Sequence, residues 1–131
     1  MKKILIVGRL NNGISGDFID NLASNLIDYS NDIIVHVLPS SFCYKSTKAK
    51  VVGIKLPEIF LKKNFRGSGI IISFLTILWI IKQYLCGNRF DTIQIHYLLL
   101  RYNKLLLLFK LISNNIVGVF WGSDLFRQRK E

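Results

Sequence analysis

The hydrophobic positions of this chain fall into short apolar runs separated by longer stretches with helical spacing. Residues 4–7 are a continuous apolar run closed by Gly8, a pattern that predicts a buried strand. In residues 18–27, apolar side chains recur three and four positions apart, which predicts an amphipathic helix. Residues 33–38 form a second apolar run that stops at Pro39. Together these segments predict a first β-α-β unit.

The same alternation continues along the rest of the chain. Residues 51–56 predict a third strand that ends at Pro57. Residues 70–81 are apolar apart from two hydroxyl side chains, and they predict a buried or membrane-apposed helix, because a spanning helix needs about 20 apolar residues. A fourth strand, a mostly apolar helix and a fifth strand are predicted at residues 90–96, 98–112 and 116–120.

The order β-α-β-β-α-β-α-β predicts the fold class. It favours an α/β fold, specifically a Rossmann-like, doubly wound parallel sheet with helices on both faces. The expected strand order is 3-2-1-4-5. A length of 131 residues suits one domain with a core of its own, so we expect a single domain over residues 1–131.

Three loops of this predicted sheet would meet at one edge. They are residues 8–16 after the first strand, His96 and Tyr97 after the fourth, and residues 121–124 after the fifth. In open α/β sheets, ligands bind outside the carboxyl ends of the strands. The sequence therefore predicts the functional site at that edge.

The first of these loops is rich in glycine but matches no nucleotide fingerprint. The spacing of its glycines differs from G-x-G-x-x-G, and it lacks the lysine of a P-loop, so a nicotinamide, a flavin or nucleotide triphosphate hydrolysis is poorly supported. A glycine turn that leads into a helix still offers backbone N–H groups to a phosphate or a sugar hydroxyl. The predicted binding residues are Gly13, Ser15 and Gly16, with Arg9 either adding charge or lying solvated in the loop.

His96 and Asp124 are the candidate catalytic residues. His96 could remove a hydroxyl proton near neutral pH or hold a substrate oxygen, although a histidine at a strand end is also often structural. Asp124 competes as a base, or caps a following helix. Trp121 would support a sugar ring or pack in the core. The remaining predicted substrate-binding residues at this edge are Tyr97, Gly122 and Ser123.

Charge and cysteine content narrow the partners. Eighteen Lys and Arg against eight Asp and Glu give a net charge of +10, which favours an anionic partner or simply keeps an apolar domain soluble. The basic residues form no continuous stripe and no nucleic-acid motif is present, so nucleic acid is not expected as a partner.

No metal-ligand cluster is apparent, and Cys43 and Cys86 are predicted to be free, packed thiols. The chain has no recognisable signal peptide, and a cytoplasmic location is expected.

Three short segments resemble a known family. Residues 3–8, 90–97 and 119–127 are similar to the amino-terminal half of GT-B glycosyltransferases, in particular the retaining enzymes of glycosyltransferase family four that build bacterial surface polysaccharides. The resemblance implies two Rossmann-like domains, with the acceptor mainly on the first and the nucleotide-sugar donor, a substrate rather than a cofactor, mainly on the second. His96 and Asp124 would line the acceptor side, and residues 13–16 would approach donor phosphate or acceptor.

The resemblance also implies what this chain would lack and where it would work. Only seven residues follow Asp124, so a carboxyl-terminal domain is expected beyond Glu131 and the isolated domain is expected to be inactive. Acceptors in such enzymes are often lipid-linked, and residues 70–81, together with the basic residues among 62–66, resemble a peripheral docking surface on the inner membrane face.

Two other interpretations stay open at this point. One is a non-catalytic Rossmann-like module that binds a phosphorylated ligand or a protein partner at the same edge. The other is a small membrane protein with two short spans at residues 70–81 and 98–112.

Overall fold

The computed structural model describes residues 1–8, 18–39, 48–54, 68–96 and 105–119. Within these ranges the strands are β1 (Lys2–Gly8), β2 (Ile33–Pro39), β3 (Lys50–Val51), β4 (Thr92–His96) and β5 (Ile116–Val119). The helices of the described ranges are α1 (Phe18–Tyr29), α2 (Ser68–Leu85) and α3 (Leu106–Phe109).

The five strands form one sheet in the order β3-β2-β1-β4-β5. Every pairing between neighbours is parallel, which confirms the predicted strand order and the α/β class. The order reverses between β1 and β4, where successive crossovers leave in opposite directions, and this is the point at which open parallel sheets form a crevice. The topology is compatible with a Rossmann-like fold.

Helices cover both faces of this sheet. Since side chains alternate along each strand, successive residues are buried against helices on opposite faces. Leu5 and Val7 of β1 point into a cluster with Trp79 and Ile80 of α2 and with Phe109 of α3. Ile6, between them in β1, points to the other face and packs with Ile19 and Ala23 of α1. Strands buried on both sides read as continuous apolar runs, which explains why residues 4–7 carry no polar position.

The third strand is shorter than predicted. Residues 51–56 were expected to be extended, but β3 ends at Val51 after two residues. The Val52 N–H still donates to the Val37 carbonyl at 2.9 Å, and Gly53 then adopts a φ of 112°, which takes the backbone out of the extended conformation. The predicted strand thus overlaps the observed one only at Val51, and its last two residues, 55 and 56, lie outside the described ranges.

The helices also differ from their predicted bounds. α2 extends to Leu85 rather than ending at residue 81. Of the helix predicted at residues 98–112, the described part is helical only from Leu106 to Phe109. The next turn tightens, with Leu111 N–H bonding to the Leu108 carbonyl, and residues 98–104 lie outside the described ranges. Among the described residues, none of the helices combines the length and the apolar composition needed to cross a bilayer.

The prediction for the cysteines was wrong in one respect. Cys86, just beyond the end of α2, is a free thiol but it is exposed rather than packed. Cys43 lies outside the described residues.

Candidate functional site at the carboxyl edge of the sheet

His96 is the last residue of β4, and the parallel neighbours of that strand end at the same level. On one side it is paired with Val119 of β5. On the other side Val7 of β1 is paired with Ile95, so Gly8 and His96 are the next residues along their strands. The ends of β1, β4 and β5 therefore meet at one edge of the sheet, as the sequence predicted.

The His96 side chain points toward the face that α1 covers. Ile93 and Ile95 are buried in the cluster on the opposite face, so the alternation of the strand directs Gln94 and His96 toward α1. The whole residue is 4% exposed, and the centroid of its ring lies 6.4 Å from that of Phe18, the first residue of α1. His96 thus sits between the end of β4 and the amino terminus of a helix.

Burial controls the proton chemistry of this imidazole. Removal from water lowers the pKa of His96 from its ordinary value of 6.5, because desolvation disfavours the charged ring. Nε2 lies 3.4 Å from Gln94 Oε1, an oxygen that only accepts hydrogen bonds, so this contact favours the tautomer in which Nε2 carries the proton. Burial therefore favours the neutral form of the His96 ring near neutral pH.

The amino end of α1 packs very closely against the end of β1. An added Cβ at Gly8 would lie 2.9 Å from both Cγ1 and Cδ1 of Ile19, so position 8 has no room for a side chain. Asp20, in the first turn of α1, is 8% exposed, and a carboxylate there interacts favourably with the helix dipole. This close approach holds the start of α1 next to the edge where His96 lies.

Most of the predicted site residues lie outside the described ranges. These are Arg9, Gly13, Ser15, Gly16, Tyr97, Trp121, Gly122, Ser123 and Asp124. What the structure does establish is where their segments leave the sheet, since Gly8, His96 and Val119 are the last described residues before each of them. The three segments depart from adjacent strands at one edge.

Among the described residues, two that contact His96 were not predicted from the sequence. Gln94 lies two positions before it in β4, and the period of a strand places such residues on the same face, so that contact was open to prediction. Phe18 was assigned only to the apolar face of α1. Its contact with His96 depends on the angle at which α1 crosses the sheet. The spacing of apolar residues in the sequence does not determine that angle.

A separate apolar cleft lies on the opposite face of the sheet. It has an empty volume of about 280 Å³, part of it open to solvent, between α2 and the ends of β2 and β3. Leu38, Val52 and Leu75 are among its lining residues, and none of the lining residues within the described ranges is titratable.

The second histidine occupies a different environment. His36, in β2, meets the ring of Phe90 edge-on at 5.7 Å between centroids. Burial, and then the positive charges of Lys50 and Lys3, lower the pKa of His36. It lies within the sheet, three residues before the end of β2, and serves as an internal comparison for His96.

Within the described residues, no group of three or more His, Cys, Asp and Glu side chains is arranged to hold a metal ion. A comparison with known proteins found no matching family model, no matching curated protein and no matching solved structure.

Proposed function

We propose that this chain is the acceptor-binding, amino-terminal domain of a glycosyltransferase. In this proposal a sugar passes from a nucleotide-sugar donor to a saccharide or lipid-linked saccharide during surface polysaccharide synthesis on the cytoplasmic side of the membrane. A second domain of GT-B type supplies most of the donor site. The proposal rests on the resemblance of three segments to that family and on how the structure arranges the strands that carry them.

The supporting observation is the position of His96. Segment 3–8 ends at Gly8, the last residue of β1, and segment 119–127 begins at Val119, the last residue of β5. Both residues lie beside the end of β4, and segment 90–97 contains His96 itself. The parallel order of β1, β4 and β5 makes one shared edge from segments that are far apart in the chain. A ligand bound in the crevice at this edge would contact all three segments.

The proposed chemistry needs a group that accepts a proton from the acceptor hydroxyl. A neutral imidazole does this at physiological pH, and burial keeps His96 neutral. In the proposal Asp124 is the competing base and Trp121 packs against the sugar ring. The glycine loop of residues 13–16 presents main-chain N–H groups to phosphate or to a sugar hydroxyl.

Substitution of the two histidines in the full gene product tests this proposal. His96→Ala should lower turnover of the nucleotide sugar by about 100-fold to 10,000-fold, the usual effect of removing a general base. His36→Ala is the matched control, because His36 is also strand-borne and partly buried but lies within the sheet. It should change turnover little in any preparation that stays folded.

Full activity in His96→Ala would contradict the proposed role of His96. A gene product that binds a phosphorylated ligand or a protein partner at this edge, with no transfer to any saccharide, would instead favour the non-catalytic Rossmann-like module. Transfer by residues 1–131 alone would contradict the need for a second domain.

A further inference from the structure

The outward face of α2 is apolar along almost its whole length. Five of its residues, spaced three and four positions apart, are exposed: Ile70 by 78%, Phe74 by 58%, Leu78 by 40%, Ile81 by 41% and Leu85 by 77%. At 100° per residue these positions lie on one side of the helix. We call this set the α2 stripe, and at 1.5 Å per residue it is about 22 Å long.

The core of the domain does not require these side chains to be apolar. The inward face of α2 already supplies Thr76, Trp79 and Ile80, all buried by 95% or more, and Trp79 packs against Phe90 with centroids 6.1 Å apart. A surface helix of a soluble domain normally has polar residues on the side away from the core. An exposed apolar patch of this kind indicates a surface that binds a membrane or another protein.

Within the described residues of α2 and α3, the charged side chains are all of one sign. Neither α2 nor α3 contains an acidic residue, and Lys82, Arg89 and Lys110 are exposed on or beside these helices. α1, which covers the opposite face of the sheet, contains the acidic residues Asp20 and Asp28. The helices on the apolar side therefore present cations and no carboxylate of their own.

α3 extends the apolar surface. It contacts α2, and its Leu107 is 71% exposed while Leu111, in the turn that follows, is 39% exposed. Lys110 lies between these two leucines in sequence. Apolar side chains with lysines among them suit an interface in which hydrocarbon lies beneath anionic head groups.

We propose that the α2 stripe docks the domain on a bilayer that contains anionic lipid. α2 lies in the plane of the membrane, its stripe enters the boundary between head groups and acyl chains, and Lys82 and Lys110 contact lipid phosphates. A second copy of the chain is a poorer occupant, because pairing two stripes would bring the same cations together. The inference does not depend on the proposed transferase activity.

Vesicle sedimentation tests the inference directly. The chain is incubated with vesicles of phosphatidylcholine mixed equally with phosphatidylglycerol, and with vesicles of phosphatidylcholine alone. Phe74→Ser should lower the partition coefficient on the mixed vesicles about tenfold, the effect of losing one buried aromatic side chain, whereas Phe74→Leu should retain most of the binding. Tyr29→Ser, on α1, is the matched control: Tyr29 is 86% exposed, and its loss should have no effect.

The anionic preference is tested separately. Lys82→Glu should weaken binding to the mixed vesicles about fivefold or more and should leave the weak binding to phosphatidylcholine unchanged. Equal sedimentation of wild type and Phe74→Ser would overturn the inference. So would a wild-type chain that does not bind vesicles but forms a dimer that Phe74→Ser disrupts, since the occupant would then be a second copy. Vesicle binding is measured without any sugar, so its failure is distinct from failure of the proposed function.

Discussion

The two histidines have different surroundings because they occupy different positions in their strands. His36 and His96 both lie in inner strands of the parallel sheet, and burial lowers the pKa of each. His36 lies three residues before the end of its strand, beside Phe90, whereas His96 ends its strand and faces the start of α1. Only His96 is placed at the edge where parallel sheets bind ligands.

The lowered pKa values predict that acid destabilises the domain. Each folded-state pKa lies below the ordinary value of 6.5, so below that pH the unfolded chain binds more protons than the folded one, and stability falls as pH decreases. The cost per buried histidine is about 1.4 kcal/mol for each pH unit that separates the folded and unfolded pKa values. Urea unfolding between about pH 7.5 and about pH 5 measures it.

A comparison with the His36→Gln/His96→Gln double variant isolates the histidine contribution. The free energy of unfolding of this variant should depend less on pH over the same range, because glutamine does not titrate. An identical pH dependence in both proteins would show that the two imidazoles are not held neutral by burial.

At the scale of elements, α2 has a well-defined end. The Gly87 N–H bonds to the Tyr84 carbonyl at 3.1 Å and the Asn88 N–H bonds to the Gln83 carbonyl at 3.0 Å. With Gly87 at a φ of 75°, this is the Schellman arrangement that satisfies the last carbonyls of a helix. It explains why α2 continues past Lys82, where the apolar run in the sequence stops.

Gly87→Ala should destabilise the domain by about 1 kcal/mol, because alanine is disfavoured in the left-handed conformation. A Cβ at this position would meet nothing within 4 Å, so steric overlap adds no cost. Gly87→Asn is the control and should lose less, since asparagine adopts this conformation more readily. Chemical denaturation measures both, and an alanine variant as stable as wild type would contradict this account of the helix end.

The sequence predicted strands better than helix ends. The apolar runs identified β1, β2, β4 and β5, because strands buried on both faces exclude polar residues over several positions. β3 was predicted too long, since the conformation of Gly53 is not visible in composition. The end of α2 depends on hydrogen bonds at Gly87, which the hydrophobic pattern does not encode.

At the scale of the whole molecule, the topology fixes where the proposed membrane surface lies relative to the candidate site. α2 runs antiparallel to the strands, so its first turns lie near the carboxyl ends of β2 and β3, where Leu75 and Thr76 line the apolar cleft with Leu38. That is the same edge of the sheet at which His96 lies. A domain docked through the α2 stripe would have the bilayer on the α2 side of the sheet, whereas the His96 side chain points toward α1 on the other side.

The candidate site could be predicted from sequence only as far as the strand order. Alternation and loop positions were enough to place His96 beside the ends of β1 and β5, because parallel strands bring their carboxyl ends to one edge. The contact of His96 with Phe18 required the packing angle of α1. Which ligand binds depends on side chains of the loops that follow the strands. The hydrophobic periodicity of the strands does not predict where those side chains lie.

The most direct test of the central claim is a map of ligand-induced amide shift changes across the sheet. The isotope-labelled chain is titrated with uridine diphosphate glucose, guanosine diphosphate mannose and short oligosaccharides. The account predicts that any of these that binds shifts the carboxyl ends of the central strands, at Gly8, His96 and Val119. Shifts confined to the amino ends of the same strands, at Lys2, Thr92 and Ile116, or no shifts with any of these probes, would contradict it.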